Sequence, residues 1–242
     1  MSSFFEYVGQ CMPQLTLGLK LTLQMTVFSL ILAVVVGMVM CLFSISKVKP
    51  LNWISGIYLS LIRGTPLMVQ AFFIYFGITG ALHIRITSFS AAILVLCLNA
   101  GAYLSEIFRS GIAAVNKGQM EAARSLGLPY GVAMRKIILP QAIRIVIPSV
   151  LNQFIITLKD TSILSIIGFP ELTNVGKTIV GNTLKSLQTW AIVGVMYMVV
   201  IVTLSKVAKR IESYAIVAVM YYVVVIVLTK AFQLVERRLS NK

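Results

Sequence analysis

Acidic side chains are scarce in this chain: seven Asp and Glu stand against twenty-one Lys and Arg. Histidine is rarer still, His83 being the only one, and there are three cysteines, Cys11, Cys41 and Cys97. With no C-x-x-C and no His/Cys ligand spacing, zinc and redox frameworks are excluded, so no metal is expected. Cys41 and Cys97 lie in apolar runs, and the odd number points to buried free thiols. No nucleophile stands beside a base, so an enzyme is not expected, nor a cofactor. Charged residues of both signs reach only 12%, where a soluble domain has about a quarter. Nor is a cleavable leader expected, because the first apolar run is too long and lacks a small-residue cleavage pattern.

What the chain does have is hydrocarbon: 58% of its 242 residues are hydrophobic and the mean hydropathy is +0.93. It reads as an all-α polytopic membrane helix bundle, one transmembrane domain over residues 1–242. A bilayer core needs about 20 apolar residues per helix. The runs predict spans at 17–44, 67–82, 90–108, 145–167 and 189–212. Residues 51–62 are moderately apolar and are placed near the inner surface. Net charge is +14, yet nucleic acid is not implied, because no basic patch is interleaved with aromatics. The cations gather instead in loops, Lys47, Lys49 and Arg63 around the first and Arg109, Lys117, Arg124, Arg135, Lys136 and Arg144 around the central one. That bias marks cytoplasmic loops and puts the N-terminus outside.

Between the third and fourth spans lies the one long polar stretch, 116–148. Ala122, Ala123, Leu126, Met134 and Ile138 at helical spacing predict two short helices sharing an apolar face. Gly127-Leu128-Pro129 breaks them, since Gly permits φ > 0 and Pro disfavours helix in the residue before it. Glu121 is placed to meet the positive end of its short helix, and Pro140 to end the knob. Gly118-Gln119, Glu121-Ala122-Ala123, Leu126-Gly127 and Leu139-Pro140-Gln141-Ala142 resemble the EAA loop of ABC-importer permeases. Three further motifs agree in order: Gly18 with Thr22 and Thr26, then Arg63-Gly64-Thr65-Pro66-Leu67, and Ala102-Tyr103 through Glu106, Arg109 and Gly111. A last one, Lys159-Asp160-Thr161-Ser162, is similar to the family's K-D-T-S. Over about residues 16–212 the chain therefore resembles the permease subunit of a bacterial polar amino-acid ABC importer of the histidine, glutamine and arginine type.

That resemblance implies a multi-pass protein of the bacterial inner membrane, paired with a second permease. It further implies two cytoplasmic ATPase subunits and an extracytoplasmic substrate-binding protein. Gly118, Glu121, Ala122, Ala123, Gly127 and Pro140 would then form the ATPase-coupling element, driving alternating access. Polarity at membrane depth adds Gln70, Asn99, Asn152 and Gln153 as pathway or gate candidates, together with Lys159, Asp160, Thr161 and Ser162. Ionisable groups there cost about 2.5–3.5 kcal/mol each on insertion scales. Lys159 and Asp160 either line the pathway or clamp helix packing; both readings stay open. Glu106 and Arg109, three apart, predict an ion pair at the membrane boundary. The alternative function is a stand-alone secondary transporter or channel, which would have no use for the knob. Gly176-Lys177-Thr178 mimics the end of a P-loop, but the required first glycine is Glu171 and a membrane span precedes it, so nucleotide binding is rejected.

The end of the chain repeats itself. Thr189-Trp190-Ala191-Ile192-Val193-Gly194-Val195-Met196-Tyr197 recurs as Ser213-Tyr214-Ala215-Ile216-Val217-Ala218-Val219-Met220-Tyr221, and the offset of 24 persists through Lys206/Lys230 and Glu212/Glu236. The segments are 189–212 and 213–236. In the second, Tyr214 to Leu228 is apolar all round and predicts a peripheral sixth helix, reached by a hairpin at Arg210–Ser213 and leaving the C-terminus outside.

Overall fold

The computed structural model describes the backbone of residues 2–240 and the side chains of residues 4–214. Helices α1 (Ser2–Ile45), α2 (Lys49–Gly64) and α3 (Leu67–Phe72) come first, then a π turn at Phe73–Ile78 leading into α4 (Thr79–Leu82). Next are α5 (Ser88–Ala114), α6 (Lys117–Ser125) and α7 (Tyr130–Ala133), and a second π turn at Met134–Ile138. After it run α8 (Leu139–Asp160), a 3-10 turn at Thr161–Ile167, α9 (Leu172–Thr183) and α10 (Ser186–Ser240). Among the described residues four stretches are long and apolar enough to cross a membrane, or five if the bent pair α2 and α3–α4 counts as one.

The packing gives the expected alternation of direction. Met25 of α1 packs with Ala91, Val95 and Leu96 of α5, and further on Gly37 meets Leu104 and Ser105. Both helices therefore run the same way, as first and third spans must. The next crossing is antiparallel: Leu104 of α5 packs with Val150 and Phe154 of α8, while a Cβ on Gly111 would overlap the Val146 side chain. Helix α10 then returns parallel to α1. Its Thr189 meets Tyr7, and farther along Tyr197 bonds Glu171, whose neighbour Leu172 donates its N–H to Thr22.

Three expectations change. Helix begins at Ser2 rather than near residue 17, because Tyr7, Cys11 and Leu15 are buried against Leu172, Ile179, Ile192 and Val193. The 44 residues of α1 measure about 66 Å at 1.5 Å per residue, twice the roughly 30 Å bilayer core, so the N-terminal part serves as a post for α9 and α10. Pro140 does not end the knob; helical backbone passes through it into α8. The π turn just before it widens the helix, where a proline ring would otherwise clash with the carbonyl four residues back. Last, α10 continues through Arg210–Ser213, so the hairpin expected there does not form. The sixth helix expected on 213–236 continues α10 in backbone, and its side chains from residue 215 on lie outside the described ones.

Candidate functional site

The knob is built from its caps inward. The Asn116 side chain accepts from the Gly118 N–H at 2.8 Å and so closes the start of α6. A Cβ on Gly118 would sit 3.1 Å from that same oxygen, so the glycine keeps the cap open. Glu121 lies exposed in the middle of α6; Asn116, rather than Glu121, is the cap. At the other end Gly127 has φ +78°, its N–H bonds Arg124 O at 3.0 Å and the Leu128 N–H reaches back to Ala123 O at 3.1 Å. These two reversed bonds are a Schellman stop, which needs a left-handed residue after the last turn. The Arg124 guanidinium donates to Leu128 O at 3.0 Å and braces the turn.

Inside the knob Met120 and Met134 pack on Val115, Ile138 and Ala142, and Ala123 is buried. Ala122 and Leu126, expected on that inner face, point outward instead. Leu126 is 82% exposed and Tyr130 59%. The structure thus presents Glu121, Ala122, Leu126 and Tyr130 on a hairpin clamped by its own caps.

The polar residues of the spans fall into two groups. Pro66 has no N–H, so the Ile62 carbonyl four residues earlier loses its helical donor. The Gln70 amide replaces it, donating to Ile62 O at 2.7 Å and to Thr65 O and Oγ1 at 3.0 Å. Asn99 of α5 donates to the Gln70 Oε1 at 3.2 Å. This buried pair holds the 108° bend between α2 and α3–α4. Gln153 is also buried, with its amide toward the Thr157 hydroxyl. Thr161 is buried too and donates to Leu158 O.

The other group lies open. Ser149, Asn152, Ile156 and Lys159 are exposed at helical spacing along one face of α8. Asp160 and Ser162 follow at its end, partly exposed. Ser162 donates to Lys159 O, and among the described residues neither Lys159 nor Asp160 has an ion-pair partner. An open stripe with Asn and Lys inside a span is unsuited to lipid tails; it calls for protein or water.

At the inner end Arg109 forks onto Glu106 at 3.0 and 2.9 Å, the predicted pair. The same carboxylate takes Arg63 at 3.4 Å, and the Arg63 guanidinium lies 5.7 Å from the Tyr103 ring centre. Two motifs far apart in sequence thereby meet. Gly176-Lys177-Thr178 sits inside α9, with Gly176 against Trp190 and Val193 and Lys177 on the Ser165 hydroxyl at 2.7 Å. It forms no phosphate loop.

Sequence reasoning missed Glu171, having weighed it only as a misplaced P-loop residue. Its side chain is wholly buried, yet it caps α9 by accepting from the Thr173 N–H at 2.8 Å and the Asn174 N–H at 2.6 Å. The Tyr197 hydroxyl adds a third bond at 2.8 Å. Burial pushes this carboxyl above the usual range, and the three donors partly offset that shift. The available signal was an acidic residue just before an amphipathic stretch, the position of a helix cap.

Comparison with known proteins places this geometry. The family described as "Binding-protein-dependent transport system inner membrane component" matches residues 26–241, reaching past residue 212 into the second repeat. The arginine transport system permease of Bacillus subtilis (strain 168) is 38% identical over 197 residues, covering 81% of this chain and 90% of that one. The glutamine transport system permease of Escherichia coli (strain K12) is 36% identical over 199 residues, covering 82% and 91%. A solved amino acid ABC transporter with histidines superposes with TM-score 0.83 at 37% identity, covering 87% of this chain and 98% of that one. A methionine ABC transporter in an inward-facing conformation shares the fold, with TM-score 0.72 at 20% identity and coverage of 84% and 97%. A multi-pass bundle with a capped polar hairpin between its third and fourth spans, matched along nearly its whole length, belongs to the family of inner-membrane components of binding-protein-dependent transport systems.

Proposed function

We propose that this permease carries polar amino acids inward as one half of a permease pair, energised by two ATPase subunits at the knob. An extracytoplasmic binding protein would deliver substrate at the opposite face. The observation that carries this reading is the knob itself. Its caps and small inner cluster fix its shape, while Leu126 and Tyr130 remain exposed. Burying a leucine gains about 1.5–3 kcal/mol, so a docked subunit would find a rigid apolar handle.

The pathway is assigned to the open face of α8, with Asn152, Lys159, Asp160 and Ser162 lining it. Gln70, Asn99, Gln153 and Thr161 serve as internal braces. The arginine and glutamine relatives give the substrate class. ATP-driven closure of the ATPases would press on Gly118, Glu121, Ala122, Ala123 and Gly127, and the continuous helix through Pro140 would transmit the push into α8.

The test is reconstitution of the permease with its ATPases and binding protein in proteoliposomes. Uptake of labelled arginine, glutamine or histidine should require ATP and the binding protein. Leu126→Asp should abolish ATPase binding while leaving the permease folded. Uptake driven by an ion gradient without ATP would overturn the reading in favour of a secondary transporter.

A further inference from the structure

We propose that residues 213–236 are a second, interchangeable version of the fifth span, able to fill the groove that 189–212 fills in this structure, one at a time. The groove is formed by α1 and α9. Six residues of the first copy engage it. Thr189 is buried and bonds the Tyr7 hydroxyl at 2.7 Å. Ile192 and Val193 are buried against Tyr7, Cys11, Leu15, Leu172 and Ile179, with Met196 packed beside them. Tyr197 bonds the buried Glu171 at 2.8 Å. Trp190 and Val193 close over Gly176.

The second copy preserves this set. Ser213 supplies the hydroxyl of Thr189, Ile216 and Val217 repeat Ile192 and Val193, Met220 and Tyr221 repeat Met196 and Tyr197, and Tyr214 stands for Trp190. Changes such as Gly194 to Ala218 and Met198 to Tyr222 fall at positions exposed in the first copy. A merely lipid-soluble helix would need hydrophobicity at these places, but it would not need the hydroxyl, the Tyr and their spacing.

Each copy also carries its own orientation signal. Lys206, Lys209 and Arg210 follow the first apolar run, and Lys230, Arg237 and Arg238 follow the second. Both therefore favour the same direction, with the hydroxyl end outside and the cations inside. Two consecutive segments cannot both cross in the same direction without a crossing between them. Nor can one straight helix present both copies to one groove. An offset of 24 residues shifts the second copy about 36 Å along the axis and leaves it about 120° out of phase, at 1.5 Å and 100° per residue. The copies compete for a single position, and the choice is made at membrane insertion.

The experiment excises 189–212 from the full chain, joining Gln188 to Ser213, and makes the reciprocal deletion of 213–236. Each is expressed with its ATPases in a background with Cys11, Cys41 and Cys97 replaced by Ala. Either deletion should insert and keep ATP-driven uptake within about threefold, because volume-conserving apolar exchanges are the best-tolerated kind. Groove occupancy is read without transport. A short bis-thiol crosslinker should join Tyr7→Cys to Ser213→Cys in the first deletion, and to Thr189→Cys in the intact chain. In the intact chain, Tyr197→Ala should raise the crosslink from position 7 to position 213. If removing 189–212 abolishes membrane accumulation or gives no such crosslink while removing 213–236 is harmless, the copies are not interchangeable. A crosslink without uptake would leave the groove assignment standing and count against the transport reading alone.

Discussion

Replacing Gln70 separates a brace from a pathway residue. Gln70→Met keeps the length of the side chain and removes every hydrogen bond it makes. Three acceptor atoms, Ile62 O, Thr65 O and Thr65 Oγ1, lose their donor, and the Asn99 amide loses its acceptor. The Thr65 hydroxyl still donates to Leu61 O, so the main losses are the Ile62 carbonyl and the Asn99 amide. A buried polar group left unpaired costs about 1–3 kcal/mol, and two of them put the expected loss at roughly 2–6 kcal/mol. The assay is thermal unfolding of the detergent-solubilised complex, followed by uptake in proteoliposomes. Asn99→Ala should destabilise by less, and the double variant should fall short of the sum, because the two residues share one bond. Unchanged thermal stability with lost uptake would refute the brace and return Gln70 to the pathway.

Other consequences are equally direct. Gly127→Val places a β-branched residue at φ +78° with no neighbour near its Cβ; strain of about 1–3 kcal/mol should distort the knob, measured as lost ATPase co-purification with normal membrane insertion. Gly111→Leu should prevent accumulation altogether, since even a Cβ there meets Val146, and blotting of membranes checks it. Lys159→Met and Asp160→Asn should each lower uptake more than thermal stability; wild-type uptake in both would remove them from the pathway. The buried Glu171 carboxyl, raised by desolvation, holds its proton more tightly folded than unfolded. Stability should therefore fall as pH rises from the ordinary glutamate range toward neutrality, and Glu171→Gln should flatten that profile.

Much of this was legible because hydrophobic run length and cation placement report on membranes directly. The all-helical multi-pass order, the Glu106–Arg109 pair and the Gly127 turn each rest on a local rule. Less legible was whatever depends on tertiary partners. Residues 2–16 looked too mixed for a span, and they form helix because Tyr7, Cys11 and Leu15 have α9 and α10 to pack against. Pro140 looked like a stop, and a π turn absorbs it. Among the polar candidates, composition could not tell Asn152 from Gln153. They are neighbours, and the 100° between adjacent helical positions sends one into the protein and the other out of it.

That division is informative about assembly. Within a bilayer, backbone and side-chain polar groups must be satisfied by protein or water. Gln70 and Asn99 are satisfied inside this chain, and so are Glu106, Gln153 and Thr161. For Asn152 and Lys159 the structure gives no side-chain partner among the described residues, and both lie on the one open stripe of α8. At the inner end the knob likewise turns Leu126 and Tyr130 outward, while Met120, Met134, Val115, Ile138 and Ala142 pack against one another. A self-sufficient bundle would close both surfaces. Each is instead backed by a structure rigid enough to hold it open: α8 by its packing on α5, the knob by its paired caps. The subunit is therefore folded internally and left open at these two places, which the proposed function assigns to a second permease and an ATPase.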